Sequence, residues 1–281
     1  MAAEKAAPAR TRGFFISRTL EDAVSLSKWE VQRPFIVSYK HDELAEKDRD
    51  QINLLGAAGY DFGNRDTDGL GFRTIHAAIG VDLDIDGTKT AAETTVGLST
   101  PVERMWIFQG SGRGIDGLSL NVTPTYTTDR KGHKAIYSAE AKLSVASRAA
   151  AIGFPRLSSP NDPAVSFQWL PSFSLGAVRV EDAAGDEDLL AVEGETQTRL
   201  TARAKATLGF PRVSERLSLG ADYRVVHDPG EHTLGYGELT LSYKASDVVQ
   251  VLATYRRGAR GAELKKTDDV LFGVGLLKER P

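Results

Sequence analysis

The sequence predicts an all-β fold of about twelve antiparallel strands in up-and-down order, closing on itself as a barrel. Two observations predict it. The first is a side-chain period of two, which places successive residues on opposite faces of a strand. Leu217, Leu219, Ala221, Tyr223 and Val225 alternate with Ser218, Gly220, Asp222 and Arg224. Leu239, Leu241 and Tyr243 then alternate with Glu238, Thr240, Ser242 and Lys244, and Val249, Val251, Ala253 and Tyr255 with Gln250, Thr254 and Arg256. The short Ala245-Ser246-Asp247 link makes the last two segments a hairpin. The second observation is the order of the links. Charged and often long ones (41–50, 129–133, 181–197, 227–232, 257–268) alternate with others that include the short 210–215 and 245–247.

Taken in order, residues 1–30 read as a flexible lead with a short strand at Gly13–Ser17, and residues 31–281 as one domain. Strands are expected around Phe35–Tyr39, Ile52–Phe62, Ile75–Leu83 and Thr94–Leu98. Residues 100–116 read as a long connection. The clearest hairpin follows, Leu118–Tyr126 with Ala135–Val145, and then Val165–Leu175 and Leu200–Leu208. The segments quoted above and a last strand at Val270–Leu276 bring the count to about twelve.

Composition narrows the class. Among 281 residues, 41% are hydrophobic and 26% charged, which supports an ordered chain. A net charge of -3 offers no global attraction for nucleic acid, and the absence of cysteine excludes disulfides, thiolate metal sites and a cysteine nucleophile. No apolar run reaches the roughly 18 residues of a transmembrane helix. The start, Met1 to Arg10, lacks the apolar core of a secretory signal. It fits either a chain that is not exported or, the favoured reading, a mature terminus behind an added methionine.

Alternation alone does not say which face is covered. Three features turn the apolar face toward lipid. A closed sheet of about twelve strands is too wide for side chains to fill, since about eight is the limit, and here the apolar face is largely Ala, Gly, Val and Leu. Aromatic residues fall toward both ends of the strands, with Tyr39, Tyr126, Tyr137, Tyr223, Tyr255 and Phe272 at one and Tyr60, Phe62, Phe167, Trp169, Phe210 and Tyr243 at the other. Two rings of aromatics around an aliphatic band suit the two interfaces of a bilayer. In the clearest strands the apolar face is also free of charge over roughly 9–11 residues, the span of a tilted transmembrane strand.

From about residue 31 onward this pattern resembles a Gram-negative outer-membrane β-barrel of the small, porin-like class. The segment Asp268 to Leu277 is similar to the closing strand of such proteins, although the chain ends Lys278-Glu279-Arg280-Pro281 instead of on an aromatic residue. The resemblance implies an outer-membrane location, contact with membrane lipid and lipopolysaccharide, and handling by the outer-membrane assembly machinery.

On that reading the polar face is a pore wall. Its basic side is Arg199, Arg203, Lys205, Arg216, Arg224, Lys244 and Arg256. Asp82, Asp84 and Glu93 form an acidic side, and Glu140 and Lys142 stand between. Opposed walls favour small polar or anionic solutes. The plain alternative pairs these charges, with Asp222 and Glu238 among the partners, into a structural plug. A second alternative is a barrel enzyme of lipase or protease type, drawing on His41, His227, Asp228 and His232, which fall in links at one end. His76 is expected to be a hydrogen-bonded interior residue near Asp82. The third alternative is a soluble ligand-binding β-sandwich. No cofactor and no metal are called for.

Overall fold

The computed structural model describes residues 12–17, 35–42, 50–68, 73–86, 95–108, 114–129, 132–158, 164–185, 187–190, 192–228, 233–246, 249–260 and 265–276. In chain order the strands are β1 (Gly13–Ser17), β2 (Phe35–Asp42), β3 (Asp50–Asp66), β4 (Arg73–Asp86), β5 (Thr95–Ser99), β6 (Val102–Ile107), β7 (Gly117–Asp129), β8 (Ala135–Ala146) and β9 (Arg156–Leu157). They continue with β10 (Ser166–Asp182), β11 (Thr196–Phe210), β12 (Ser214–His227), β13 (Thr233–Lys244), β14 (Val249–Arg260) and β15 (Lys265–Leu276). A four-residue helix, α1 (Glu187–Leu190), interrupts the link from β10 to β11.

All fifteen strands join one sheet, and every strand pairing is antiparallel. The hydrogen-bonded order is β1-β3-β2-β15-β14-β13-β12-β11-β10-β8-β7-β5-β4-β6. Two further pairings, β3–β4 and β7–β6, tie the ends of that path back into it, and β9 pairs β10. The expected count of about twelve is therefore corrected to fifteen segments. The excess has local causes. β1 is the short strand anticipated in the lead, and it pairs β3 from Gly13 opposite Asp61 to Ser17 opposite Ala57. β9 is two residues in the link after β8. β5 and β6 are separated only by Thr100-Pro101, and both pair β4 on one side and β7 on the other. Proline has no N–H to give a ladder, and here the neighbouring strands compensate. Thr100 N–H donates to Pro124 O at 3.1 Å and Ala78 N–H to Pro101 O at 3.1 Å.

β6 corrects a second expectation, because residues 100–116 are not one connection. Val102-Glu103-Arg104-Met105-Trp106-Ile107 carries one charge on each face, so its alternation is not of apolar against polar.

The two faces of the sheet are inverted relative to a soluble protein. Among the described residues eighteen buried side chains are polar or charged, as many as are apolar. They include Asp61, His76, Glu103, Asn121, Asp222, Glu238 and Arg256. Exposed positions on the same strands are Phe62, Ile75, Leu120, Phe173, Leu175, Tyr223, Leu239, Leu241, Val251 and Phe272. The alternation shows within a few residues of β10, where Ser172 and Ser174 are buried and Phe173 is 65% exposed. Monomeric soluble proteins rarely expose a contiguous apolar surface of this extent. At one end of the exposed face Phe14, Tyr60 and Phe62 meet edge to face, with centroids 5.2 and 5.5 Å apart. At the other, Tyr126 and Tyr137 lie 5.2 Å apart across β7 and β8.

Candidate functional site

The enclosed face of β8 and β10–β14 holds most of the sequence-predicted wall. Register places Lys205 opposite Asp222, Asp222 opposite Glu238, and Glu238 opposite Arg256, so one rung of four strands is charged throughout. Along the next rung Arg203 faces Arg224, and Arg224 faces Tyr236. Cross-strand neighbours on one face interact, and like charges directly opposite are unfavourable. The side chains answer this by bonding diagonally. Arg203 grips Asp222 with two bonds, Nε to Oδ1 at 2.8 Å and Nη2 to Oδ2 at 2.5 Å. Arg224 lies over the Tyr236 ring, 5.1 Å from its centroid, and donates to Ala259 O at 3.1 Å. Tyr236 Oη donates to Glu238 Oε2 at 2.8 Å, and Thr240 Oγ1 to Glu238 Oε1 at 3.3 Å. Planar guanidinium–carboxylate pairs of this kind fix geometry as well as charge.

Toward the end of the sheet that carries the 183–195 link, Arg199 bonds Asp228 at 3.2 Å and Gln197 at 2.9 Å. Between these groups and β8 lies a cavity of about 240 Å³, lined by Glu140, Lys142, Ser172, Ser174, Arg199 and Arg203 among others. Lys142, Arg199 and Arg203 give it a predominantly basic wall, with Glu140 exposed two residues from Lys142 on β8.

Apolar groups cover the enclosed face at both ends. At one, Ile136, Val178, Val180 and Ala183 pack with Leu189 of α1. At the other, Met105, Ala146 and Leu170 pack with Ile107, Ile152 and Phe154, the last two from the link after β8. Such enclosed apolar positions are invisible to a rule that assigns every apolar residue to the exposed face.

A second polar cluster crosses β3, β4, β6 and β7. His76 Nε2 lies 2.5 Å from Asp61 Oδ1, and both side chains are fully buried. Glu103 sits opposite His76 and opposite Asn121, and accepts a hydrogen bond from Ser119 Oγ. His76 is thus hydrogen-bonded inside, as expected, with Asp61 as the partner observed. A bulge adjoins the pair. Register slips between Asp61 and Asn64, Gly63 takes φ 77°, and its N–H donates to Asp61 Oδ1 at 2.7 Å. Asp61 lies in register with Ala78, two residues from His76, so the carboxylate meets the ring diagonally beside the bulge.

Other expected wall residues scatter. Arg216 is exposed at the β12 end, and Lys244 closes β13 opposite Gln250. Asp82 lies in register with Ala57 and Gly97, and Asp84 with Leu55 and Thr95, but their side chains, like all of Glu93, fall outside the described residues. His227 Nδ1 meets Thr233 Oγ1 at 3.1 Å while Asp228 is held by Arg199. His41 is placed only by its register opposite Asp50 and Val270, and His232 lies outside the described residues. Sequence reasoning missed Arg104, which stands on the exposed apolar face between Ile75 and Leu120, its guanidinium 5.2 Å from the Trp106 ring centroid.

No protein-family model and no curated protein matches the sequence. Among the solved structures that match are two outer-membrane proteins. Outer membrane phospholipase A from Escherichia coli matches with a TM-score of 0.48 at 10% identity, over 88% of this chain and 90% of its own. Outer-membrane expressed OmpT of Vibrio cholerae matches with a TM-score of 0.33 at 10% identity, over 95% and 97%. Both are proteins that this chain is similar to, and no specific family is identified.

Proposed function

We propose that the chain is a closed transmembrane β-barrel of a bacterial outer membrane, whose charged interior admits small polar or anionic solutes. The inverted burial of the sheet carries this reading. Closure is supported by the pairings of β3 with both β2 and β4 and of β15 with β2. With β5 and β6 taken as one interrupted stave, the staves are β2, β3, β4, β5/β6, β7, β8, β10, β11, β12, β13, β14 and β15, which are twelve. The 12 residues of β13, rising about 3.3 Å each and tilted about 40°, span about 30 Å. That matches a hydrocarbon core. The basic lining of the 240 Å³ cavity supports anionic over cationic solutes.

Urea-solubilised chain added to phospholipid vesicles is expected to acquire altered mobility on an unboiled gel and to conduct ions in planar bilayers. Arg203→Glu and Lys142→Glu, each checked for unboiled mobility, are expected to shift selectivity toward cations. A chain that is monomeric in plain buffer without detergent would sink the membrane reading. A second reading, a purely structural barrel, is favoured by the depth of the ion pairs: Asp222 is 5%, Arg256 6% and Glu238 8% exposed. Inserted chain without conductance would decide for it.

A further inference from the structure

Residues 147–157 turn back under a set of backbone hydrogen bonds. Ser147 and Ile152 exchange two at 2.8 Å, Gly153 N–H donates to Trp169 O at 2.8 Å, and Trp169 N–H to Ala151 O at 3.1 Å. Arg148 N–H also donates to Asp116 Oδ2 at 2.6 Å. This fold-back leaves a cavity of about 480 Å³ lined by Arg148, Ala149, Phe154, Pro155 and Arg156. Its lining joins the apolar Ala149, Phe154 and Pro155 to two arginines, Arg148 and Arg156. The guanidinium of Arg148 lies 5.0 Å from the Phe154 ring centroid. Arg156 is exposed and in register with Phe167. Cross-strand partners share a face, so Arg156 stands on the exposed apolar face beside an aromatic ring. Trp169, two residues along the same face, donates Nε1–H to Ala150 O at 2.9 Å and ties its ring to the fold-back.

We infer that this pocket binds the phosphate of a membrane phospholipid, an inference that rests on the membrane reading above. Tryptophan and phenylalanine at a strand's end mark the headgroup level. Arginine is costly deeper in the bilayer and settles there by extending toward the interface. Guanidinium groups hold phosphate through paired N–H donors, which an ammonium does not reproduce. Above the pocket the exposed face continues through Leu143 and Phe173, which lie opposite one another and offer an apolar track for acyl chains. A free anion would satisfy the guanidiniums but leave that track unused.

The test uses the full chain in maltoside micelles, with phosphatidylglycerol, diacylglycerol of the same acyl chains, or inorganic phosphate added. Retention of lipid through gel filtration and the temperature at which the unboiled band shifts are both read. Wild-type protein is expected to retain phosphatidylglycerol and shift upward, and to do neither with diacylglycerol or inorganic phosphate. Arg156→Gln, and Arg148→Gln combined with it, are expected to bind about tenfold more weakly or worse, the loss expected for a charge-assisted bond. Equal retention by folded variants, or of diacylglycerol, overturns the inference, and an equal response to inorganic phosphate assigns the pocket to a free anion. These failures leave a heat-modifiable, detergent-requiring chain. Failure of the membrane reading itself shows instead as a chain soluble without detergent.

Discussion

Replacing Leu239 by arginine tests the orientation of the sheet. Leu239 is 47% exposed, lies near the middle of the 12-residue β13, and is flanked in register by Ala221 and Tyr255. If that face meets lipid, Leu239→Arg sets a cation near the bilayer midplane at a cost of about 2–4 kcal/mol. At about 1.4 kcal/mol per tenfold, the folded-to-unfolded ratio falls roughly 30- to 1,000-fold. If the face met water, a surface change of this kind would stay within about 0.5 kcal/mol. Val213 provides the depth control. It is 76% exposed in the turn from β11 to β12, where the penalty for a cation falls to about 0–1 kcal/mol. Urea titrations of folding in phospholipid vesicles, followed by tryptophan fluorescence and unboiled gel mobility, measure both variants. Equal, small losses for Leu239→Arg and Val213→Arg would refute a lipid-facing exposed surface.

Two further outcomes follow from the interior and the ladder. Asp222→Ala removes the carboxylate that Arg203 grips on the enclosed face and is expected to cost about 3–5 kcal/mol, read as a lower urea midpoint. Arg203→Met with Asp222→Leu, which removes both charges, is expected to recover much of that loss. Gly258 takes φ 112°, and a Cβ there would stand 2.1 Å from Gly235 O. Gly258→Ala is therefore expected to lose more than about 1 kcal/mol. Gly220→Ala, where the nearest atom is 3.8 Å away, should change the urea midpoint little.

Strand positions were legible wherever the two faces differ in polarity, as in β12 to β14, because the period of two records the contrast between exposed and enclosed surroundings. It fails where that contrast fails. β6 was missed because Glu103 and Arg104 put a charge on each face. The covers at the two ends were missed because Ile136, Val178, Leu170 and Met105 are apolar yet enclosed. The basic wall could be read from parity, and so could Asp222 as its partner. The bond between Arg199 and Asp228 depends on where a strand ends and a link turns, and that between Asp61 and His76 on the register of β3 with β4, beside a bulge. The Asp61-Phe62-Gly63 stretch holds the only sequence sign of the bulge, a glycine available for positive φ.

The pairing of β2 with β15 joins residues 35–42 to residues 269–276. β2 leaves the ribosome long before its partner exists. Until β15 arrives, one edge of β2 is a row of unpaired N–H and C=O groups, which is a template for pairing with other chains. The exposed Phe272, Val274 and Leu276 of β15 make the late strand equally adhesive. The seam between residues 35–42 and residues 269–276 is thus also a stretch that gains from a chaperone during synthesis.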